Sequence, residues 1–167
     1  MEKKKKRRYG RFFDKKLEIL RMGILAALFA AVMALIFLFV IGISRVSGNS
    51  MEPTLHDGQP VVFLRLQRDY SRGDVVAVRT PAGEWIVKRV AAVAGDTVDV
   101  SDGSVTVNGK PVGPAAGPAE ETGFSGYPLM LKSGQIFVLG DNSAVSVDSR
   151  TYGPLAVSQT RGKIVGH

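Results

Sequence analysis

The stretch Met22-Gly23-Ile24-Leu25-Ala26-Ala27-Leu28-Phe29-Ala30-Ala31-Val32-Met33-Ala34-Leu35-Ile36-Phe37-Leu38-Phe39-Val40-Ile41-Gly42-Ile43 runs for 22 residues without a charge. As a helix rising 1.5 Å per residue it covers about 33 Å, enough to cross the hydrocarbon core of a bilayer. It has no polar face, unlike a surface helix of a small soluble domain. It is also longer than the apolar region of about 7–15 residues in a cleaved secretory signal, and Val46-Ser47-Gly48 is a poor cleavage site. We therefore read one transmembrane helix over 22–43, a basic tail over 1–21 and a domain over 44–167.

Charge gives the expected orientation. Residues 1–21 hold 10 Lys/Arg against 3 Asp/Glu, whereas residues 22–167 hold 12 of each, so the net charge of +7 is entirely N-terminal. Only Arg45 is basic in the 20 residues after the apolar stretch. The positive-inside rule then puts the N-terminus in the cytoplasm and the C-terminal domain outside, in a single-pass plasma-membrane protein. Lys3 to Arg8 face anionic lipid headgroups in this reading. A formally neutral folded part argues against a nucleic-acid partner. With no cysteine, a disulfide framework and a thiolate zinc site are excluded, and the redox compartment stays open.

Beyond the apolar stretch the pattern changes to short β-type runs separated by turn residues. The expected strands are Pro60–Leu66, Asp74–Arg79, Glu84–Val93, Thr97–Ser101, Ser104–Val107 and Gln135–Leu139. Asp102-Gly103 predicts a tight hairpin and Asn108-Gly109 an exit turn. Pro111 to Pro128, with four prolines and four glycines, reads as a long rim loop. The fold class is mainly β: a partly closed, antiparallel, barrel-like catalytic domain behind one transmembrane helix.

Within this frame Ser50 and Lys88 are a candidate hydrolase pair that needs no histidine, beside the plainer readings of a loop serine capping a turn before Pro53 and a surface lysine on an edge strand. A serine hydroxyl is a weak nucleophile until a neighbouring base accepts its proton. On a strand over 84–93, Lys88 shares a face with Ile86 and Val90, and apolar neighbours penalise the ammonium and lower its pKa. Arg89 points the other way and stays charged, so it cannot be the base. His56, in a Leu-His-Asp-Gly turn, and the terminal His167 read as solvated polar groups. Two histidines without cysteine or a His-Glu-x-x-His helix leave no zinc protease, and neither a metal nor another cofactor is expected.

Three segments together resemble the type I signal peptidases, membrane-anchored Ser/Lys proteases. Ser50-Met51-Glu52-Pro53-Thr54-Leu55 is similar to the nucleophile segment of that family. Val87-Lys88-Arg89-Val90, followed by Gly95-Asp96-Thr97-Val98, is similar to its base segment, and Arg72-Gly73-Asp74-Val75-Val76 to the short strand element between them. Gly140-Asp141-Asn142 with Ser146 and Asp148-Ser149-Arg150 is similar to its third segment. The short chain looks more like the Gram-positive members. There are departures: Ser143 replaces an arginine, and Ala144 and Val145 replace a polar pair.

The resemblance implies Ser50 as nucleophile, Lys88 as general base, and Ser146 as the hydroxyl that holds the lysine amine. It implies a structural pairing of Arg89 with Asp141, while Asp148 and Arg150 read as a structural ion pair. The oxyanion donor is the backbone N–H of Ser50. Gly48 stands where many relatives have a serine whose side chain also donates, so that donor is missing here. Val46, Met51, Leu55, Ile86 and Val87 match pocket-lining positions, implying an Ala-x-Ala preference; for Leu55 and Val87 core packing reads as well. The implied function is a membrane-bound serine endopeptidase that removes signal peptides from exported preproteins. The alternative is a non-catalytic membrane-anchored relative assisting assembly of exported or pilin-like subunits, which loss of the serine or lysine would mark. A peptidase dedicated to a few substrates is a third reading, and oligomeric state is left open.

Overall fold

The computed structural model describes residues 2–101, 104–113 and 123–166, with residues 2–14 described through their backbone alone. The chain divides into two compact units, residues 1–40 and 41–167.

The first unit is a single helix, α1 (Glu2–Phe39). Its Lys15–Phe39 portion, 25 residues that contain an 18-residue stretch of mean hydropathy 2.7 with none of it buried inside the protein, is long and apolar enough to cross a membrane. The expected bound at residue 43 is corrected at the C-terminal end. The helix already runs through the basic tail, and it stops at Phe39, so that Ile41 to Ile43 belong to strand β1 (Ile41–Arg45). The β-branched pair around Gly42 is poor helix sequence and good strand sequence. Gly42 also matters sterically, because a Cβ there would collide with the Phe63 ring.

The second unit is mainly β. The expected strands all form, as β2 (Pro60–Leu64), β3 (Val75–Arg79), β4 (Trp85–Val93), β5 (Thr97–Ser101), β6 (Ser104–Val107) and β9 (Gln135–Leu139). Two more short strands, β7 (Lys110–Pro111) and β8 (Leu129–Met130), flank the rim segment. After β9 come a one-turn helix α2 (Ser149–Tyr152), β10 (Leu155–Ala156) and β11 (Thr160–Val165). β11 has no clear strand signature in the sequence because Arg161-Gly162-Lys163 interrupts its apolar run. Gly162 is required where the strand bends, since a Cβ would strike the Leu64 carbonyl.

One sheet has the order β1-β2-β11-β3-β4-β9-β10, every neighbour antiparallel. Bulges between Thr160 and Gly162 and between Val90 and Ala92 add local twist. The sheet curls without closing, leaving β1 and β10 as edges. The second sheet runs β7-β6-β5-β8. Its β6–β7 turn uses Asn108 (φ 53°) and Gly109 (φ 73°), the two left-handed residues that an Asn-Gly hairpin turn demands. β5 and β6 pair with Ser101 opposite Ser104, while the Asp102-Gly103 turn itself lies outside the described residues. So do residues 114–122 of the Pro/Gly-rich rim segment, the side chains of Lys3 to Arg8, and His167.

Among the described residues three apolar clusters fill the unit. Val46, Met51, Leu55, Val61, Phe63, Val75 and Ile164 form the one beneath the Ser50 loop. A second gathers Tyr70, Val76, Val78, Val90, Ile136, Val138 and Leu155 around β3, β4 and β9. The third lies between the two sheets and includes Val98, Val107 and Phe137. Each fully buried Phe or Leu contributes about 1.5–3 kcal/mol, which pins the loops between strands that carry the polar groups described next.

Candidate active site

Ser50 sits in a tight turn after β1, closed by the Leu55 N–H donating to the Met51 carbonyl at 2.9 Å and by Glu52 N–H to the Asn49 carbonyl at 3.2 Å. Met51 and Leu55 anchor that turn by burying their side chains, at 1% and 0% exposure. A second loop, the one after β9, docks on it. The backbone N–H of Asn142 donates to the Ser50 carbonyl at 3.1 Å, and its side-chain amide donates to the Asn49 carbonyl at 3.2 Å.

Lys88 comes from β4, on the same side as Ile86 and Val90, and is 2% exposed. Its Nζ donates to Ser50 Oγ at 2.6 Å. Burial is the main cause that brings the amine down to about 8, opposed by the nearby Asp148 carboxylate and reinforced by the Arg150 cation. A lysine that is neutral in a large fraction of molecules near pH 8 can accept a proton, which a surface lysine cannot do.

Arg89, on the opposite side of β4, is held by Asp141 at two points, Nε to Oδ1 at 2.7 Å and Nη2 to Oδ2 at 2.6 Å. It also donates to the Gly73 carbonyl at 2.8 Å and to Thr54 Oγ1 at 3.3 Å. One guanidinium therefore ties together β4, the strand entry at Gly73, the Ser50 turn and the loop after β9. Thr54 and Gly73 were not singled out from the sequence, although both lie inside the quoted segments.

Ser146 lies in the loop after β9, against Gly140. Its hydroxyl donates to Asp148 Oδ2 at 2.7 Å, and among the described residues the Lys88 amine bonds Ser50 and not Ser146. Asp148, fully buried, also accepts the Gly140 N–H at 2.9 Å and two bonds from the Arg150 side chain at 2.9 Å each. Arg150 Nη2 extends to the carbonyls of Ser143 and Ser146, both at 3.3 Å. The loop is thus braced through main-chain oxygens and Asp148. That explains how it tolerates Ala144 and the exposed Val145 in place of a polar pair.

A cleft of about 100 Å³ opens beside Ser50. Of the five expected pocket residues, Val46, Met51, Ile86 and Val87 line it, whereas Leu55 packs wholly into the cluster beneath and does not reach it. Sequence reading missed Val61, Phe63, Ala77 and Ile164, which close the cleft floor from β2, β3 and β11, and Trp85 and Arg161 at its rim. Pockets for drug-sized ligands run to about 300–1,000 Å³, so this one has room for a small side chain or two. The Ser50 N–H donates to nothing among the described residues. Gly48, at φ 83°, turns the chain just ahead of it. His56 is exposed beside Glu52, 3.7 Å away.

Comparison with known proteins supplies the class. The chain is similar to signal peptidase I of Bacillus licheniformis, 34% identical over 140 residues that cover 75% of each chain. It is similar to mitochondrial inner membrane protease subunit 1 of Schizosaccharomyces pombe, 29% identical over 87% of this chain and 84% of that one. A solved signal peptidase I from Enterococcus faecalis aligns at 25% identity, over 57% of this chain and 96% of the other, with a TM-score of 0.44. The family match over residues 18–166 and the Bacillus licheniformis relative make the protein a serine peptidase, a hydrolase. It belongs to the family described as signal peptidase, peptidase S26, whose model matches residues 18–166. Preproteins bearing signal peptides are accordingly its substrates.

Proposed function

We propose that this chain is a membrane-bound serine endopeptidase in which Ser50 and Lys88 form the catalytic pair and cleavage follows small residues of the Ala-x-Ala type. The observation that carries the reading is the 2.6 Å contact between Lys88 Nζ and Ser50 Oγ, made by an amine whose burial favours its neutral form. With the amine neutral, the same contact carries the hydroxyl proton to nitrogen as Oγ attacks the scissile carbonyl carbon. The resulting oxyanion meets the Ser50 N–H. The lysine then returns its proton to the leaving amine, and the acyl-enzyme is opened by a water that Lys88 deprotonates in turn.

Ser146 acts through Asp148 and Gly140, keeping the polar loop against the Ser50 turn, and Arg89, Asp141 and Arg150 hold the scaffold. Val46, Met51, Ile86 and Val87 make the cleft narrow, which favours small side chains by exclusion of bulk. The peptide lies extended and is held largely through its main chain. The N-terminal helix anchors the enzyme with its N-terminus in the cytoplasm and residues 44–167 outside. A substrate tethered in the same bilayer meets the site at raised effective concentration.

The test is cleavage of a preprotein by the purified full chain in detergent. Ser50→Ala and Lys88→Ala each lower kcat/KM by at least about 10³-fold with the fold intact. Wild-type rates in either variant would remove that residue from the chemistry.

A further inference from the structure

Strand β11 carries a bulge at the place where it borders the cleft. Thr160 pairs with Val78 and Gly162 with Ala77, so Arg161 is an extra residue between them. Thr160 lies on the side of the Tyr70 cluster, accepting the Tyr70 hydroxyl at 2.7 Å, while Ile164 packs in the cluster of Phe63. Strict alternation would put residues four apart on one side; the bulge reverses the parity and re-aims Arg161. Its guanidinium lies 4.8 Å from the centre of the Trp85 ring and 5.8 Å from that of Phe63, both cleft residues. Among the described residues its N–H groups have no hydrogen-bond or ion-pair partner. Arg45 lines the same cleft, and among the described residues no Asp or Glu does.

A strand irregularity, two aromatic supports and an uncommitted fork of donors thus converge on one end of the cleft that begins at Ser50. From this geometry we propose that Arg161 is a specificity-determining residue: it binds a carboxylate side chain of the substrate peptide, next to the small residues held in the cleft. The proposal rests on the cleavage reading above. A guanidinium stacked on aromatic rings loses little freedom when it binds, and its fork matches a carboxylate at two points. A lysine side chain at the same substrate position meets Arg161 and Arg45 without compensation, so the site selects against it. A peptide occupant is favoured over lipid because the guanidinium shares its cleft with Ser50, Ile86 and Val87.

The experiment uses the full chain in neutral detergent with peptides that differ only in bearing Glu, Gln or Lys, stepped through the positions four to six before the cut. At one position wild-type kcat/KM falls in the order Glu, Gln, Lys, with about 5–20-fold between the extremes at low salt and a smaller ratio at high salt. In Arg161→Gln the Glu/Lys ratio falls at least about threefold, Arg45 keeping the remainder, and Arg161→Lys restores part of it. A purely structural role would lower all three peptides by one factor and leave the ratio intact, and that result overturns the proposal. So does a wild type indifferent to peptide charge at every position and salt concentration, a reading that needs no variant to fold. If phosphatidylglycerol vesicles accelerate the Gln peptide through Arg161 while peptide charge has no effect, the guanidinium serves lipid and the proposal fails. Cleavage of the Gln peptide by wild type tests the underlying peptidase reading separately; without it both readings fall.

Discussion

Lys88 Nζ and Ser50 Oγ, 38 residues apart in sequence, lie 2.6 Å apart, and the amine is 2% exposed. A buried cation costs stability unless it is paired, and the side chains closest in charge to Lys88 are already committed: Asp148 to Arg150 and Asp141 to Arg89. The site therefore keeps its lysine short of a dedicated counter-ion, and the neutral form gains.

The first expectation is a pH profile. The base must be deprotonated, so kcat/KM rises about tenfold per pH unit below the Lys88 pKa, which lies near 8, and levels off above it. A rate independent of pH between 6 and 9, measured where chemistry is limiting, contradicts the assignment of Lys88 as the base.

Lys88→Met is expected to be inactive yet more stable near neutral pH. The amine titrates at about 8 in the folded protein against an ordinary 10.5, so the native state binds fewer protons than the unfolded one between those values, and wild-type stability rises with pH across that window. Below it the buried ammonium costs the native state, less the bond to Ser50. Replacing it with an apolar side chain of similar length should stabilise by roughly 1–3 kcal/mol at pH 7, seen as a higher Tm than wild type. A lower Tm would mean that the lysine contributes net stability.

Asp148→Asn is expected to act in two ways. It leaves the Arg150 guanidinium, whose side chain is 13% exposed, without its carboxylate, a loss of about 3–5 kcal/mol for a broken buried pair. It also removes the charge that holds the Lys88 pKa up, so the acid limb of the activity profile moves to lower pH. Denaturant melts read the first effect and rate profiles the second. An acid limb that stays in place would separate Asp148 from Lys88.

Gly140→Ala should impair the site from behind. A Cβ there would lie 2.6 Å from the Ser50 carbonyl oxygen and strike the Ser146 hydroxyl. Pushing the two loops apart costs about 1–3 kcal/mol of overpacking and misplaces the nucleophile, so kcat should fall at least tenfold with KM changed less. Unchanged kcat would show that the loop yields without moving Ser50.

Acid unfolding is expected to draw on Asp96. Arg72 grips it at two points, the Val93 N–H donates to it at 2.9 Å and the Asn108 amide at 3.1 Å, and these bonds bring its carboxyl down to about 2. A depressed carboxyl stabilises the fold fully above the ordinary value near 4 and loses that contribution as pH falls toward 2. Arg72→Ala should flatten the stability curve over that window in an acid-unfolding series, and an unchanged slope would assign the acid limb to other groups.

The sequence alone determined the division into an apolar helix and a β domain, because the absence of charge over a bilayer's thickness and the alternation of Val and Ile along short runs are local properties. It also marked Ser50, Lys88, Asp148 and Arg150, since their segments are contiguous. Three things were decided only by tertiary structure. Where α1 ends depended on the pairing of Ile41–Arg45 with β2, a partner found 15 or more residues downstream. Whether Leu55 lines the cleft or fills the core depended on how the turn packs over Phe63 and Ile164. The partner of the Ser146 hydroxyl and the direction of Arg161 depended on a buried carboxylate and a strand bulge. Periodicity registers which side chains alternate along one strand; which group stands opposite, and whether water reaches it, follows from contacts between segments distant in the chain.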